Sequence, residues 1–217
     1  MKSVSCRTKV SRHPRERGSA VRDELIIACR RLLRSHAPSE ITTTALIVEA
    51  GVARGTLYHH FKSASALLEA ALLDAFSQHV DANITALREL VDHANNQKEF
   101  ATGLRQVTKV SQGAARKETR FARVRIIAHS ETSTSFLKLL IQEQERLTVA
   151  IENIVTTAQK KGWVKRSIKP RAAAVMIQAY TLGKIVDDVA ERQMSESDWN
   201  TLIDDVVIAG MLTTPPR

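Results

Sequence analysis

Residues 42–61 read TTTALIVEAGVARGTLYHHF, and the glycine in their middle constrains the fold most. Gly51 separates two short stretches that each carry an apolar face, so the segment is expected to form two helices, 43–50 and 54–61, hinged at a left-handed residue. Thr42 is placed to cap the first helix. On a wheel stepping about 100° per residue, Ala53, Leu57 and Phe61 share the side that must pack inward. Gly55 and His59 point the opposite way, flanked by Thr56 and Tyr58, with Arg54 and His60 at the margins. A polar outer face that lacks bulk at a glycine suits close approach to a duplex. Arg, Thr, Tyr and His side chains can reach phosphates and base edges there. The candidate DNA-binding residues are Thr42, Thr43, Arg54, Gly55, Thr56, Tyr58, His59, His60 and Lys62.

Charge supports a polyanionic partner. The net charge of the 217 residues is +9, and residues 1–62 hold 12 Lys and Arg against 5 Asp and Glu. Most of the excess therefore lies beside the hinged pair. Residues 1–19 read as a basic leader without the apolar segment of a secretory signal. Cys6 sits in that leader and Cys29 on an apolar helical face, which argues against a disulfide and for a reducing, cytoplasmic setting. No apolar run approaches the roughly 20 residues of a membrane span.

The rest of the chain has helical periodicity throughout, and the expected class is all-α. Leu25, Ala28, Cys29, Leu32 and Leu33 place an amphipathic helix over 20–36, ended at Pro38. Ser63 can cap a long helix over 64–93. Further helices are expected near 97–112, 115–130, 134–160, 170–191 and 197–212, with Pro170 in a first turn and Ser197 as the cap of the last. The expected organisation is a leader over 1–19, a helix-turn-helix domain over 20–63, and a second helical domain over 64–214.

The residues of the first domain resemble the TetR family of bacterial transcriptional regulators. The resemblance rests on Thr42, Ala50-Gly51-Val52, Thr56-Leu57-Tyr58, Phe61, Ser63 and Leu67-Leu68, and covers about residues 22–72. It implies a three-helix DNA-binding domain followed by a helical ligand-binding and dimerisation domain. It further implies a homodimer built on the last two helices, a double-stranded operator and a small-molecule effector, here unidentified. By position, Thr56, Tyr58 and His60 match family residues that touch DNA, and Thr42 matches a phosphate contact. Three residues depart from the pattern: Ala53 stands where Ser or Thr often caps, Ile47 where a small residue is usual, and Ala64 where a phosphate-binding Lys is common. Lys62 or the basic leader can substitute for that last contact.

In the second domain the candidate dimer residues are Met176, Tyr180, Gly183, Trp199, Ile203, Val206 and Val207, which give two helices apolar faces suited to a four-helix interface. Candidates for a ligand pocket on the middle helices are Phe76, Val80, Phe100, Leu104, Phe121, His129, Phe136 and Leu140. Residues 105–125 carry seven Lys or Arg against only Glu118; most are expected on solvated faces, with Arg125 as the candidate to meet an acidic ligand such as a carboxylate or acyl-CoA. The doublets Asp187-Asp188 and Asp204-Asp205 are expected to be solvated or to cap helices.

No catalytic residue, cofactor or metal site is expected. A P-loop, a nucleophile elbow, a glycine fingerprint on a strand and zinc-spaced Cys/His sets are all missing from the sequence. The expected function is a sequence-specific regulator, a repressor released from a palindromic operator by its effector. The alternatives are a structural DNA-binding protein without an effector and a helical enzyme with unrecognised catalytic residues.

Overall fold

The computed structural model describes residues 14–213, and all its regular elements are helical. The helices are α1 (Pro14–Leu32), α2 (Thr43–Ala50), α3 (Arg54–His60), α4 (Ala64–His93), α5 (Gln97–Gln112), α6 (Lys117–Ser130), α7 (Thr134–Lys160), α8 (Pro170–Gly183), α9 (Ile185–Asp188), α10 (Glu196–Ile203) and α11 (Ala209–Met211). An isolated antiparallel bridge joins Val164 to Leu212. The chain divides into two compact units between Ala75 and Phe76, inside α4 rather than at its start.

The first unit is built as its local signals require. The Thr42 hydroxyl accepts from the Ala45 N–H at 3.2 Å and starts α2. Gly51 stops it at φ 64°, where its own N–H and that of Val52 return to α2 carbonyls. That left-handed conformation is costly for a residue with a Cβ. The Ser63 hydroxyl accepts from the Ala66 N–H at 3.0 Å and starts α4. Leu25, Ile26, Cys29, Leu46, Leu57, Phe61, Leu67 and Ala71 form a core with no polar side chain. Cys29 is fully enclosed there, and burial pushes its thiol up to about 12. Residues 1–13 of the leader, with Cys6, lie outside the described residues, and 14–19 belong to α1. Arg31 binds Glu49 of α2 at 2.6 Å and Arg30 binds Asp74 of α4 at 2.8 Å, tying α1 to its neighbours from the surface.

α1 differs from expectation at both ends, beginning at Pro14 and closing at Leu32 rather than 36. Its last carbonyls are taken up by hydrogen-bonded turns over 33–36, and Ala37 is extended at ψ 152° because a proline follows it. α3 ends at His60, and Ala53 is an exposed, extended cap residue rather than part of the packed face.

In the second unit α7 and α8 pack along each other. A core of Leu90, Phe100, Leu104, Val155, Ile208 and Met211, among others, closes one end. Gln97 ties that end together: its amide donates to the Trp163 carbonyl at 2.9 Å and the Thr213 carbonyl at 2.7 Å. Three expected helices are interrupted. The stretch 115–130 opens with a 3₁₀ turn, Ala114–Arg116. The stretch 170–191 breaks at Lys184, whose buried ammonium pairs with Asp187. The last helix starts at Glu196, because Ser195 rather than Ser197 accepts from the Asp198 N–H at 3.0 Å, and it contains a π turn over Asp204–Ile208.

Most of the basic run stays out of the core, and the departures from the solvated positions expected are Asp188, Arg120 and Arg123. Asp188 is buried and binds Arg120 through two bonds of 2.5 and 2.7 Å, and hydrogen bonding to that arginine holds its carboxyl below the ordinary range. Asp187 accepts from the Met194 N–H at 2.9 Å, and Asp204 binds Arg105 at 2.7 and 2.8 Å. Arg120 and Arg123 are interior, not solvated.

Candidate nucleic-acid interface and interior cavity

The first unit presents α3 with its apolar side inward. Leu57 is fully buried and Phe61 is 6% exposed, while Arg54, Gly55, Tyr58 and His59 face outward. Thr56 and His60 are half-buried at the margins, and Thr42 and Lys62 are exposed. A Cβ built on Gly55 would meet nothing within 4 Å, so the glycine leaves open backbone on the outer face. The Tyr58 hydroxyl lies near Arg54 of its own helix and Thr43 of α2. These contacts, Arg54 first, lower its ionisation from the ordinary phenol value. The Arg54 guanidinium lies 5.8 Å from the Tyr58 ring centroid. Tyr58 remains 43% exposed on this face. The His59 and His60 rings meet edge to face, with centroids 5.0 Å apart. Among the described residues no cluster of three His, Cys, Asp or Glu can hold a metal ion, and no helix is long and apolar enough to cross a membrane.

The second unit encloses a cavity of about 250 Å³ between α4, α5, α6, α7 and α8. Its polar wall includes His79 and Asn83 of α4, and Arg116, Thr119, Arg120 and Arg123 from the segment around α6. No Asp or Glu lines it. The Asn83 amide nitrogen lies 2.9 Å from the His79 carbonyl, which can only accept, and 2.9 Å from His79 Nε2. That ring nitrogen is therefore an unprotonated acceptor. Burial first, then the charges of Arg123 and Arg116, pushes the imidazole down to about 4.

None of the nine pocket candidates chosen from sequence lines this cavity. Phe76, Val80, Phe100, Leu104 and Phe136 are buried packing residues. Leu140 lines an adjoining groove of about 530 Å³ with Ile127, Ile141 and Val175, and Arg123 and Gln178 border both spaces. Phe121 lies under Lys117, His129 meets the Phe136 ring at 5.2 Å, and Arg125 is half-buried. The signal that points to the cavity is polar rather than aromatic: Arg116, Arg120 and Arg123 follow the i, i+4, i+7 spacing of one helical face, as His79 and Asn83 follow i, i+4.

The dimer candidates divide. Met176, Gly183 and Val206 are exposed, beside Val175 and Leu202, while Tyr180, Trp199 and Val207 are half-buried and Ile203 is interior. Trp199 donates its indole N–H to Gln112 Oε1 at 3.1 Å.

Residues 25–71 match the family described as bacterial regulatory proteins, tetR family. A comparison with curated proteins finds no match. Among solved structures, the chain is similar to a putative TetR-family transcriptional regulator from Mesorhizobium loti, with 17% identity, 89% of this chain and 96% of that one covered, and a TM-score of 0.70. A putative transcriptional regulator from Saccharomonospora viridis in complex with choline is 17% identical, with 90% and 100% covered and a TM-score of 0.68. The reduced form of NemR from Escherichia coli is 17% identical, with 90% and 100% covered and a TM-score of 0.65. At these identities the structures share a fold with this chain.

Proposed function

We propose that this chain, which belongs to the TetR family of bacterial regulators through residues 25–71, is a homodimeric repressor released from a palindromic operator by a small-molecule effector. The outward face of α3 carries the reading: Arg54, Tyr58 and His59 stand exposed around the bare backbone of Gly55, over a wholly apolar core. Arg54 is the candidate for a bidentate guanine contact, and Thr56, Tyr58, His59 and His60 for base edges. Thr42, Thr43 and Lys62 are assigned to the phosphates, which position the helix without reading sequence.

Exposed Val175, Met176, Leu202 and Val206 on α8 and the last helical segment are the surface assigned to a second copy. Pairing would set two α3 helices roughly 34–36 Å apart, the spacing of successive major grooves. The interior cavity is the assigned effector site, as the choline-bound neighbour holds a small molecule of its own. An effector that binds the DNA-incompetent state more tightly shifts the population toward it. The assigned location is the cytoplasm.

Selection of bound duplexes from random DNA, followed by shift assays on the recovered site, tests the reading. A palindrome should emerge, its affinity should fall steeply with salt, and His59→Ala and Tyr58→Phe should each weaken it while the fold survives. Full affinity in both variants would refute the assigned face. A recovered site that no metabolite extract releases would favour a structural DNA-binding protein.

A further inference from the structure

We propose, resting on the reading of this cavity as an effector site, that the effector is an organic acid with an aliphatic body whose carboxylate seats on Arg123. Arg123 is 7% exposed, and its Nε has no hydrogen-bond partner. No carboxylate pairs with it among the described residues. Three residues earlier on the same helix, Arg120 is what a settled interior arginine looks like: its Nε and Nη2 donate to the two oxygens of Asp188. A buried cation without such a partner is strongly unfavourable, so an anion entering the cavity would relieve that cost.

The surroundings set the sign and shape of that counter-ion. The Arg123 guanidinium lies 5.9 Å from the Phe76 ring centroid, a contact with a ring rather than with an acceptor atom. Arg116 adds positive charge, His79 is held neutral, and no acid opposes them in the wall. Asn83, Gln106, Thr119 and Thr181 supply neutral polar contacts. Leu87, Val107, Leu147, Ile151 and Ile177 supply an aliphatic surface, and the wall contains no Phe, Tyr or Trp on which a flat ring would stack. A planar carboxylate fits the arginine fork, and the aliphatic wall takes its chain.

The test is calorimetric titration of the full chain, with straight-chain carboxylates from butanoate to decanoate against matched primary amides, alkyl trimethylammonium salts, alkyl phosphates and inorganic phosphate. One or more carboxylates should bind at least about tenfold more tightly than the matched amide, the scale expected for a hydrogen bond to a charged group. Arg123→Met should remove that preference and raise the ligand-free melting temperature, since it deletes a buried unpaired charge. Arg125→Met should keep the preference. Equal binding of acid and amide overturns the proposal, as does unchanged acid affinity in Arg123→Met. Preference for the alkyl phosphate overturns the carboxylate, and inorganic phosphate binding as well as any alkyl acid overturns the aliphatic body. The acid and amide comparison needs no variant, so it still discriminates if Arg123→Met folds poorly. Operator binding is scored separately: a chain that binds its operator but no acid sinks this proposal alone. Acid binding without any operator sinks the regulator reading alone.

Discussion

The two units treat polar groups in opposite ways. In the first, every interior side chain among the described residues is apolar, and its charges lie on the surface. In the second, Thr108, Gln112, Arg120, Arg123, Ser130, Thr148, Lys184 and Asp188 are all buried. An apolar core serves a unit whose chemistry happens on its outside, because the core need only hold α3 at a fixed angle. Buried polar groups are costly unless satisfied, so each of the eight calls for a partner inside the unit. Most are satisfied within the chain: Arg120 by Asp188, Lys184 by Asp187, and Thr148 by Gln144 and Gln178. Gln112 and Arg123 each keep a buried nitrogen without a partner; of the two, Arg123 carries a charge and borders the cavity.

The contrast can be broken most sharply at Asp188. Asp188→Ala leaves Arg120 buried without its partner and should destabilise the second unit by about 3–5 kcal/mol, read by chemical denaturation. Converting the pair together to Arg120→Met with Asp188→Leu should recover most of that loss. A small effect of the single variant would mean that water reaches this site and that the interior is less closed than described.

Acid should act on the second unit next. His79 is neutral when folded down to about pH 4, whereas its ordinary value is 6.5. Between those values the unfolded chain binds a proton that the folded chain does not. Stability therefore falls as pH drops from 6.5 to 4 and is insensitive to this group above 6.5. The full loss is on the order of 3 kcal/mol. Denaturation midpoints against pH should show that slope, and His79→Asn should flatten it. An unchanged slope in the variant would place the titrating group elsewhere.

The smallest test belongs to the first unit. Ala53 caps α3 without a side-chain bond. Ala53→Ser should stabilise that unit by about 1 kcal/mol, seen as slower amide exchange in α3. If exchange is unchanged while operator affinity alters, residue 53 acts through DNA rather than through the helix.

The first unit was largely legible before its structure. Thr42, Gly51, Ser63 and the apolar period through Leu57 are signals whose partners lie within a few residues, so they act the same way wherever the helix is packed. Local reasoning failed where a partner was distant. Lys184 interrupts what reads as one helix, and Asp188 looks like a solvated member of a doublet until Arg120, 68 residues away, is brought against it. The pocket candidates taken from sequence are mostly aromatic and aliphatic residues outside the lining of this cavity, since a ring at helical spacing signals burial but does not say whether it faces a cavity or another side chain. Phe76 and Phe136 face packing; His79 and Arg123 face space.

Helical class, the hinged pair and the identity of the outward residues on α3 follow from the order of the residues, because turn geometry and capping are settled over one or two helical turns. Where five helices leave a gap, which arginine stands unpaired beside it, and which apolar faces stay uncovered depend on contacts between segments far apart in the chain. Those contacts are set by how whole side-chain surfaces fill space together, and no short window of sequence carries that information.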